Sequence, residues 1–149
     1  MRLYLDTSVV SALFDDANPE RQQLTQDFFA VAHEHDLFVS QLTLTEIRFT
    51  LDEALRTRME KQCEGYPVLS GKEQEAADLA QRYVEHGALP PSHIEDAYHI
   101  ATAVVYGLDA ILSWNFRHIV RRKTRDVVAM VNSRRNLSYV EILTPAELL

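Results

Sequence analysis

The stretch LYLDTS, Leu3 to Ser8, opens with three large side chains that read as a buried strand and then stops on the carboxylate of Asp6. Water solvates a carboxylate far better than a core does. A strand that ends this way is either capping the next helix or carrying an acid to the rim where α/β folds bind their ligands. The choice between the two depends on what the rest of the chain brings to the same rim.

Working outward from this strand, Arg2 to Leu5, four more short runs read as strands: Leu37 to Ser40, Tyr66 to Leu69, Ala110 to Ser113 and Tyr139 to Leu143. Helical patterns separate them. Ser or Thr followed three residues later by Glu marks helix starts at Thr43 with Glu46, Ser70 with Glu73, Ser92 with Glu95 and Thr144 with Glu147. Asn18 before Pro19 marks another start, and Gly65, Gly87 and Gly107 stand where helices should stop. One helix is expected from Asn18 to Ala32 and another from Leu44 to Met59. Strand and helix alternating in this way predict an α/β fold of three layers, α/β/α, around a mostly parallel sheet of about five strands. No repeat, linker or low-complexity tract interrupts the pattern, so residues 1–149 read as one domain.

Composition narrows the function classes. An apolar content of 46% and a charged content of 25% are those of an ordinary globular protein. The lone Cys63 excludes an internal disulfide framework and suits a reducing compartment. Asp6 arrives before any apolar leader develops, and no later run approaches the roughly 18 apolar residues of a membrane span. A cytoplasmic protein without membrane contact is expected. The net charge of −7 is uneven: Ser113 to Leu149 carries +4, leaving −11 on the first 112 residues. A globally acidic chain repels nucleic acid at long range, yet a local basic stripe still holds phosphates at contact distance.

Three further oxygen-bearing side chains fall at strand ends or beside them. Glu46 lies on the first turn after the second strand, on the same sheet edge as Asp6, although its capping box with Thr43 offers a purely structural role. Asp96 flanks the apolar face formed by Ala97, Ile100 and Val104 at about 100° per residue. Capping by Ser92 explains its neighbour Glu95 but leaves Asp96 unexplained. A carboxylate aimed at a core costs several kcal/mol unless paired or metal-bound, and an ion pair with an arginine is the structural alternative. Asn115 follows the strand that ends at Ser113, where a turn or helix cap would also use it.

The order Asp6-Thr7-Ser8, then Glu46, then IEDAYHIATA around Asp96, then DAILSWNFRHI resembles the PIN-domain ribonucleases, and within them the VapC-like toxin branch. The resemblance spans nearly the whole chain. It implies a PIN-like fold and a catalytic, metal-binding site of Asp6, Glu46 and Asp96 with Asn115 in the fourth position. Many members carry Asp at that position, so a second ion is expected to be held less strongly here. The resemblance also implies an RNA substrate, a homodimer, and a small antitoxin protein whose C-terminal segment lies across the acidic rim. Leu24, Phe28 and Phe29 on one helix and Ile47, Leu51 and Leu55 on the next are the expected anchor groove for that segment.

The chemistry leads the same way without the family. Crowded carboxylates repel one another unless a cation neutralises them, and an all-oxygen donor set suits Mg²⁺ or Mn²⁺ better than Zn²⁺. Such an ion serves phosphodiester hydrolysis. Thr7, Ser8, His99 and Ser113 are candidates for supporting the metal site, with capping as the alternative for the hydroxyls and packing on a polar helix face for His99. No paired spacing among the histidines suggests zinc. Arg117, Arg121, Arg122, Lys123 and Arg125 follow the rim and are candidate RNA-phosphate contacts, a solvated helix surface being the alternative. Two other functions remain open: a phosphohydrolase with Asp6 as nucleophile, although Ser8 stands where such enzymes carry a second Asp, and a metal-binding interaction module without catalysis.

Overall fold

The computed structural model describes residues 1–149. Its strands are β1 (Arg2–Leu5), β2 (Asp36–Ser40), β3 (Val68–Leu69), β4 (Ala110–Leu112) and β5 (Glu141–Leu143). Its helices are α1 (Thr7–Ala12), α2 (Pro19–Val31), α3 (Gln41–Arg48), α4 (Glu53–Cys63), α5 (Glu73–Glu85), α6 (Ile94–Val105) and α7 (Arg122–Arg134). The five strands form one all-parallel sheet in the order β3-β2-β1-β4-β5. β3 is shorter than its sequence run because Pro67 has no N–H to give the ladder. The Pro67 carbonyl still accepts from Val39 N at 3.1 Å.

Alternation along the strands sorts the core into two halves. Tyr4, Ile111 and Ile142 face α5, α6 and α7, whereas Leu3, Leu5, Val39, Ala110 and Leu112 face α1 to α4. Each large aliphatic buried in this way contributes about 1.5–3 kcal/mol. Buried polar groups tie the layers: the Tyr83 hydroxyl of α5 donates to Asn132 Oδ1 of α7 at 2.5 Å. The Trp114 indole N–H donates to the Thr25 hydroxyl at 2.9 Å, and that hydroxyl donates to the Arg21 carbonyl at 2.7 Å, docking α2 against the exit of β4.

The helix boundaries divide the expected signals. Asn18 caps α2 with Pro19 at the first position, and Thr144 with Glu147 forms a full capping box on the last short 3-10 turn. Gly87 and Gly107 end α5 and α6 with left-handed φ of 82° and 66°. The following residues, Ala88 and Leu108, reach back to Tyr83 and Ala103 in Schellman closures. The other three boxes do not form. Ser40 caps α3, so Thr43 lies inside the helix, and its hydroxyl donates instead to the Leu5 carbonyl at 3.3 Å. Neither Ser70 nor Ser92 caps a helix, since α5 starts after Lys72 and a 3-10 turn precedes α6. The single helix expected from Leu44 to Met59 is two, α3 and α4, because Asp52 caps a new start by accepting from Leu55 N at 3.0 Å.

The topology creates a switch point. From β1 the chain moves to β2 on one side, while β4 and β5 occupy the other, so the carboxyl ends of β1 and β4 flank a crevice. Asp6 leaves β1 there with its N–H donating to the Leu112 carbonyl at 3.1 Å, and Ser113 leaves β4 beside it.

Candidate active site

Asp6 is 5% exposed, and its two carboxylate oxygens have different neighbours. Oδ1 accepts the Ser8 N–H at 3.3 Å, capping α1. Oδ2 accepts the Ser8 hydroxyl at 2.9 Å and the Ser113 hydroxyl at 2.5 Å. Each serine oxygen also accepts a backbone N–H from the β4 exit, Trp114 N to Ser8 at 2.9 Å and Asn115 N to Ser113 at 3.0 Å. With their oxygens accepting in this way, both hydroxyl protons are directed at Asp6. Capping and site positioning are therefore the same set of contacts.

Glu46 projects from the second turn of α3. Its Oε1 accepts the Thr7 hydroxyl at 2.7 Å and lies 2.6 Å from His99 Nε2. Burial works to raise the Glu46 pKa, but the His99 hydrogen bond, the His99 charge and the Thr7 hydroxyl outweigh it, so this carboxyl titrates below its ordinary range. His99 is 1% exposed, not on a polar helix face as the helical phase predicted. Its Nδ1 lies 2.6 Å from the Tyr4 hydroxyl, which also contacts Ser40 at 2.7 Å and Thr43 at 3.2 Å. Burial disfavours the imidazolium, yet the Tyr4 oxygen and the carboxylates of Glu46 and Asp6 hold its pKa well above the ordinary value. Asp6 Oδ1 stands 3.9 Å from His99 Nε2.

Asp96 occupies the first turn of α6, half-buried, with Oδ2 3.3 Å from His93 Nδ1 rather than paired with an arginine. Burial and then the Asp6 charge raise its pKa, against the lowering influence of His99, His118 and His93. Asp6 and Asp96 therefore feel one another as like charges across the crevice. Asn115 uses Oδ1 to accept the His118 N–H at 3.1 Å, so its amide oxygen closes a turn at the rim.

Ligand atoms converge in two groups, each within 4.8 Å: Asp6 with Glu46 and His99, and Asp96 with His93 and His118. In the first group His99 is spent on Glu46, leaving oxygen donors. Glu46 Oε2 and Asp96 Oδ1 accept no hydrogen bond from the protein. Open carboxylate oxygens suit a hard divalent cation such as Mg²⁺ or Mn²⁺, and the structure brings Asp6 and Glu46 together while Asp96 falls in the other group. A cavity of about 640 Å³ lies elsewhere, at the amino ends of β2 and β3 among Phe29, Leu37 and Tyr66, and has none of these acids.

The five basic candidates separate into two kinds. Arg121 donates to Thr124 and to the Ala88 carbonyl, each at 2.9 Å, and Arg125 donates twice to the Ile142 carbonyl at 2.8 and 3.1 Å. These two guanidiniums lock α7 to the body of the fold. Arg117, Arg122 and Lys123 are exposed, Arg122 making only a solvent-facing contact of 3.7 Å with Asp126. The sequence reading missed Arg21 and Phe116. The Phe116 ring is half-exposed beside the rim, and the Arg21 guanidinium lies 5.7 Å from its centre and 5.4 Å from that of Trp114. The expected anchor groove is also altered: Phe28 and Ile47 are core residues, Leu51 is 98% exposed, and Leu24, Phe29 and Leu55 are partly buried.

The model of the PIN domain matches residues 3–123, which run from β1 through the rim to the start of α7. The chain belongs to the PIN-domain family. Among solved structures, the PIN-domain chain is similar to one in the crystal structure of VapBC2 from Rickettsia felis bound to a DNA fragment from their promoter. The match has a TM-score of 0.57 and 12% identity and covers 77% of this chain and 89% of that one, a likeness of fold. No curated protein matches the sequence.

Proposed function

We propose that this PIN-domain protein is a metal-dependent endoribonuclease of the VapC-like branch, the toxin of a toxin–antitoxin pair. The observation that supports this reading is the convergence of Asp6 and Glu46 beside the β1/β4 switch point, with a buried histidine orienting Glu46 and with Asp96 near enough to feel the Asp6 charge. Asp6, Glu46 and Asp96 are the residues that would hold Mg²⁺ or Mn²⁺, and Asn115, in the fourth position, would join them only if its amide oxygen left the His118 N–H. Such a cation supplies charge stabilisation to the phosphodiester and lowers the pKa of a water.

The chain's own residues do the rest. Ser8 and Ser113 fix Asp6, while Thr7 and His99 fix Glu46, so the two carboxylates keep one geometry as substrate binds. Arg117, Arg122 and Lys123 supply phosphate contacts along the exit from the crevice. Phe116, backed by Arg21, offers a face on which an unstacked base can lie, as proteins that read single-stranded RNA require. A small antitoxin is the proposed partner, its segment competing for the acids through a basic side chain and resting on Leu24, Phe29 and Leu55. A homodimer is proposed as the assembly.

The test is incubation of the purified protein with structured and unstructured RNAs, and with DNA, in Mg²⁺, Mn²⁺ or chelator, followed by mapping of the ends. Metal-dependent internal cuts in RNA that vanish in Asp6→Asn are expected. Expression of the wild type should arrest the host in the absence of neighbouring genes, and Asp6→Asn should not.

A further inference from the structure

The second group of converging ligand atoms has a different chemistry from the first. His93 ends the 3-10 turn before α6, Asp96 lies one turn on, and His118 belongs to the loop after β4. The two imidazoles stack with centroids 3.6 Å apart and planes 29° from parallel, and His93 Nδ1 is 3.3 Å from Asp96 Oδ2. His118 Nδ1 is enclosed and has no hydrogen-bond partner, the one buried side-chain nitrogen or oxygen of the chain in that condition. A desolvated ring nitrogen left in this way is destabilising unless something binds it.

Stacking alone does not account for that nitrogen. The stack holds both imidazoles beside Asp96 with that nitrogen left unpaired. A neutral imidazole is the ligand form of histidine. The backbone is also fixed on both sides: the His118 N–H donates to Asn115 Oδ1, and its carbonyl accepts the Thr124 hydroxyl at 2.6 Å. His93 follows Pro90 and Pro91, which restrict the approach to α6.

We propose that His93, Asp96 and His118 form a second metal site, which takes a divalent transition ion of the Zn²⁺ or Co²⁺ kind through two imidazoles and one carboxylate. Two nitrogen donors and one oxygen suit such ions, whereas Mg²⁺ prefers oxygen and gives up its water reluctantly. Asp96 is common to this site and to the acidic crevice, so an ion here draws that carboxylate toward the histidines and competes with the crevice for it. Only this coupling rests on the nuclease reading, and the binding itself stands without it.

The site is tested by titrating the whole protein with Zn²⁺, and with Co²⁺ for its absorption spectrum, first without Mg²⁺ and then with it, Mg²⁺ being expected to weaken the binding by drawing Asp96 to the crevice. One equivalent should bind, with Co²⁺ bands of mixed nitrogen and oxygen coordination. His93→Gln and His118→Gln should each weaken binding at least about tenfold, and Asp6→Asn should leave it within about threefold. The absence of saturable binding, or binding abolished by Asp6→Asn and kept by both histidine variants, overturns the proposal. If a histidine variant does not fold, the wild type decides the matter by nuclear magnetic resonance of its imidazoles. Co²⁺ should then perturb His93 and His118 and spare His33, His35 and His86, and equal perturbation of all of them overturns the site.

Discussion

His99 Nε2 stands 2.6 Å from Glu46 Oε1, joining two helices whose residues are 53 positions apart in the chain. The opposite ring nitrogen meets Tyr4 on the central strand. One buried imidazole therefore bridges α3, α6 and β1 directly beneath the acidic crevice, and its removal should be felt both in stability and in the site. His99→Ala leaves the Tyr4 hydroxyl and the Glu46 carboxylate without their shared partner, at an expected cost of about 2–4 kcal/mol. Urea unfolding of the metal-free protein measures it, and a loss below about 1 kcal/mol would show that the bridge is dispensable.

The same bridge gives stability a pH window. The His99 pKa is raised by folding, so its contribution is complete below the ordinary value of 6.5 and fades as pH rises through the higher folded value. That of Glu46 is depressed, so its contribution is complete above 4.5 and fades as pH falls through the lower folded value. The stability difference between wild type and His99→Ala should accordingly be greatest between about pH 4.5 and 6.5 and shrink on both sides. Thermal unfolding across that range checks the shape.

How much of this was legible beforehand varies with the range of the interaction. Strands and their order of appearance follow from local runs, and Asp6 at the end of β1 follows from its position alone. His99 was legible as a neighbour of Asp96 but not as a buried bridge, because its phase on α6 reads as polar until Tyr4 and Glu46 are brought to it across the sheet. Similarly, His93 and His118 show no ligand spacing, since 24 residues containing a helix and a strand separate them. Arg121 and Arg125 look like their exposed neighbours in sequence, and only the Ala88 and Ile142 carbonyls distinguish them. Thr43 kept its capping signature while Ser40, three residues earlier, won the helix start.

Like-charge repulsion across the crevice makes the nuclease variant informative about folding. Burial and the Asp6 charge hold the Asp96 carboxyl above its ordinary range, so ionising it costs stability as pH rises past 3.8. Asp6→Asn removes the second cause, and its amide oxygen can still accept the Ser8 and Ser113 hydroxyls, although its NH2 then replaces the oxygen that accepted the Ser8 N–H. In chelator at neutral pH the relief of that repulsion should offset part of the weakened α1 cap and of the charge lost from beside His99, so this variant should stay folded even as metal-dependent cleavage is lost. Calorimetric unfolding beside the RNA assay tests both halves.

The two kinds of basic residue should separate cleanly. Arg125→Ala should cost about 1–2 kcal/mol of stability through the lost Ile142 contacts and leave the salt dependence of RNA binding unchanged. Arg122→Ala and Lys123→Ala should do the reverse, each lowering the slope of log K against log salt by about 0.7 for a single strand. Fluorescence anisotropy over a salt series distinguishes them, and an unchanged slope in both surface variants would remove them from the RNA path.

Asn115 is the residue at which charge and geometry are most easily pulled apart. Its Oδ1 already accepts the His118 N–H, so Asn115→Asp keeps the turn and adds one negative charge at the crevice edge. In the absence of metal that charge joins Asp6 and Asp96 in mutual repulsion, and the apoprotein should lose stability, by about 0.5–1.5 kcal/mol if the added carboxylate shifts its neighbours by up to one pKa unit. With Mg²⁺ or Mn²⁺ present the sign reverses, because a carboxylate binds a hard cation more strongly than an amide does. Half-maximal cleavage should then need less metal than in the wild type. Titrating Mn²⁺ against both unfolding temperature and cleavage follows the crossing directly. A variant that is destabilised at every metal concentration, with no gain in metal affinity, would confine Asn115 to closing the turn.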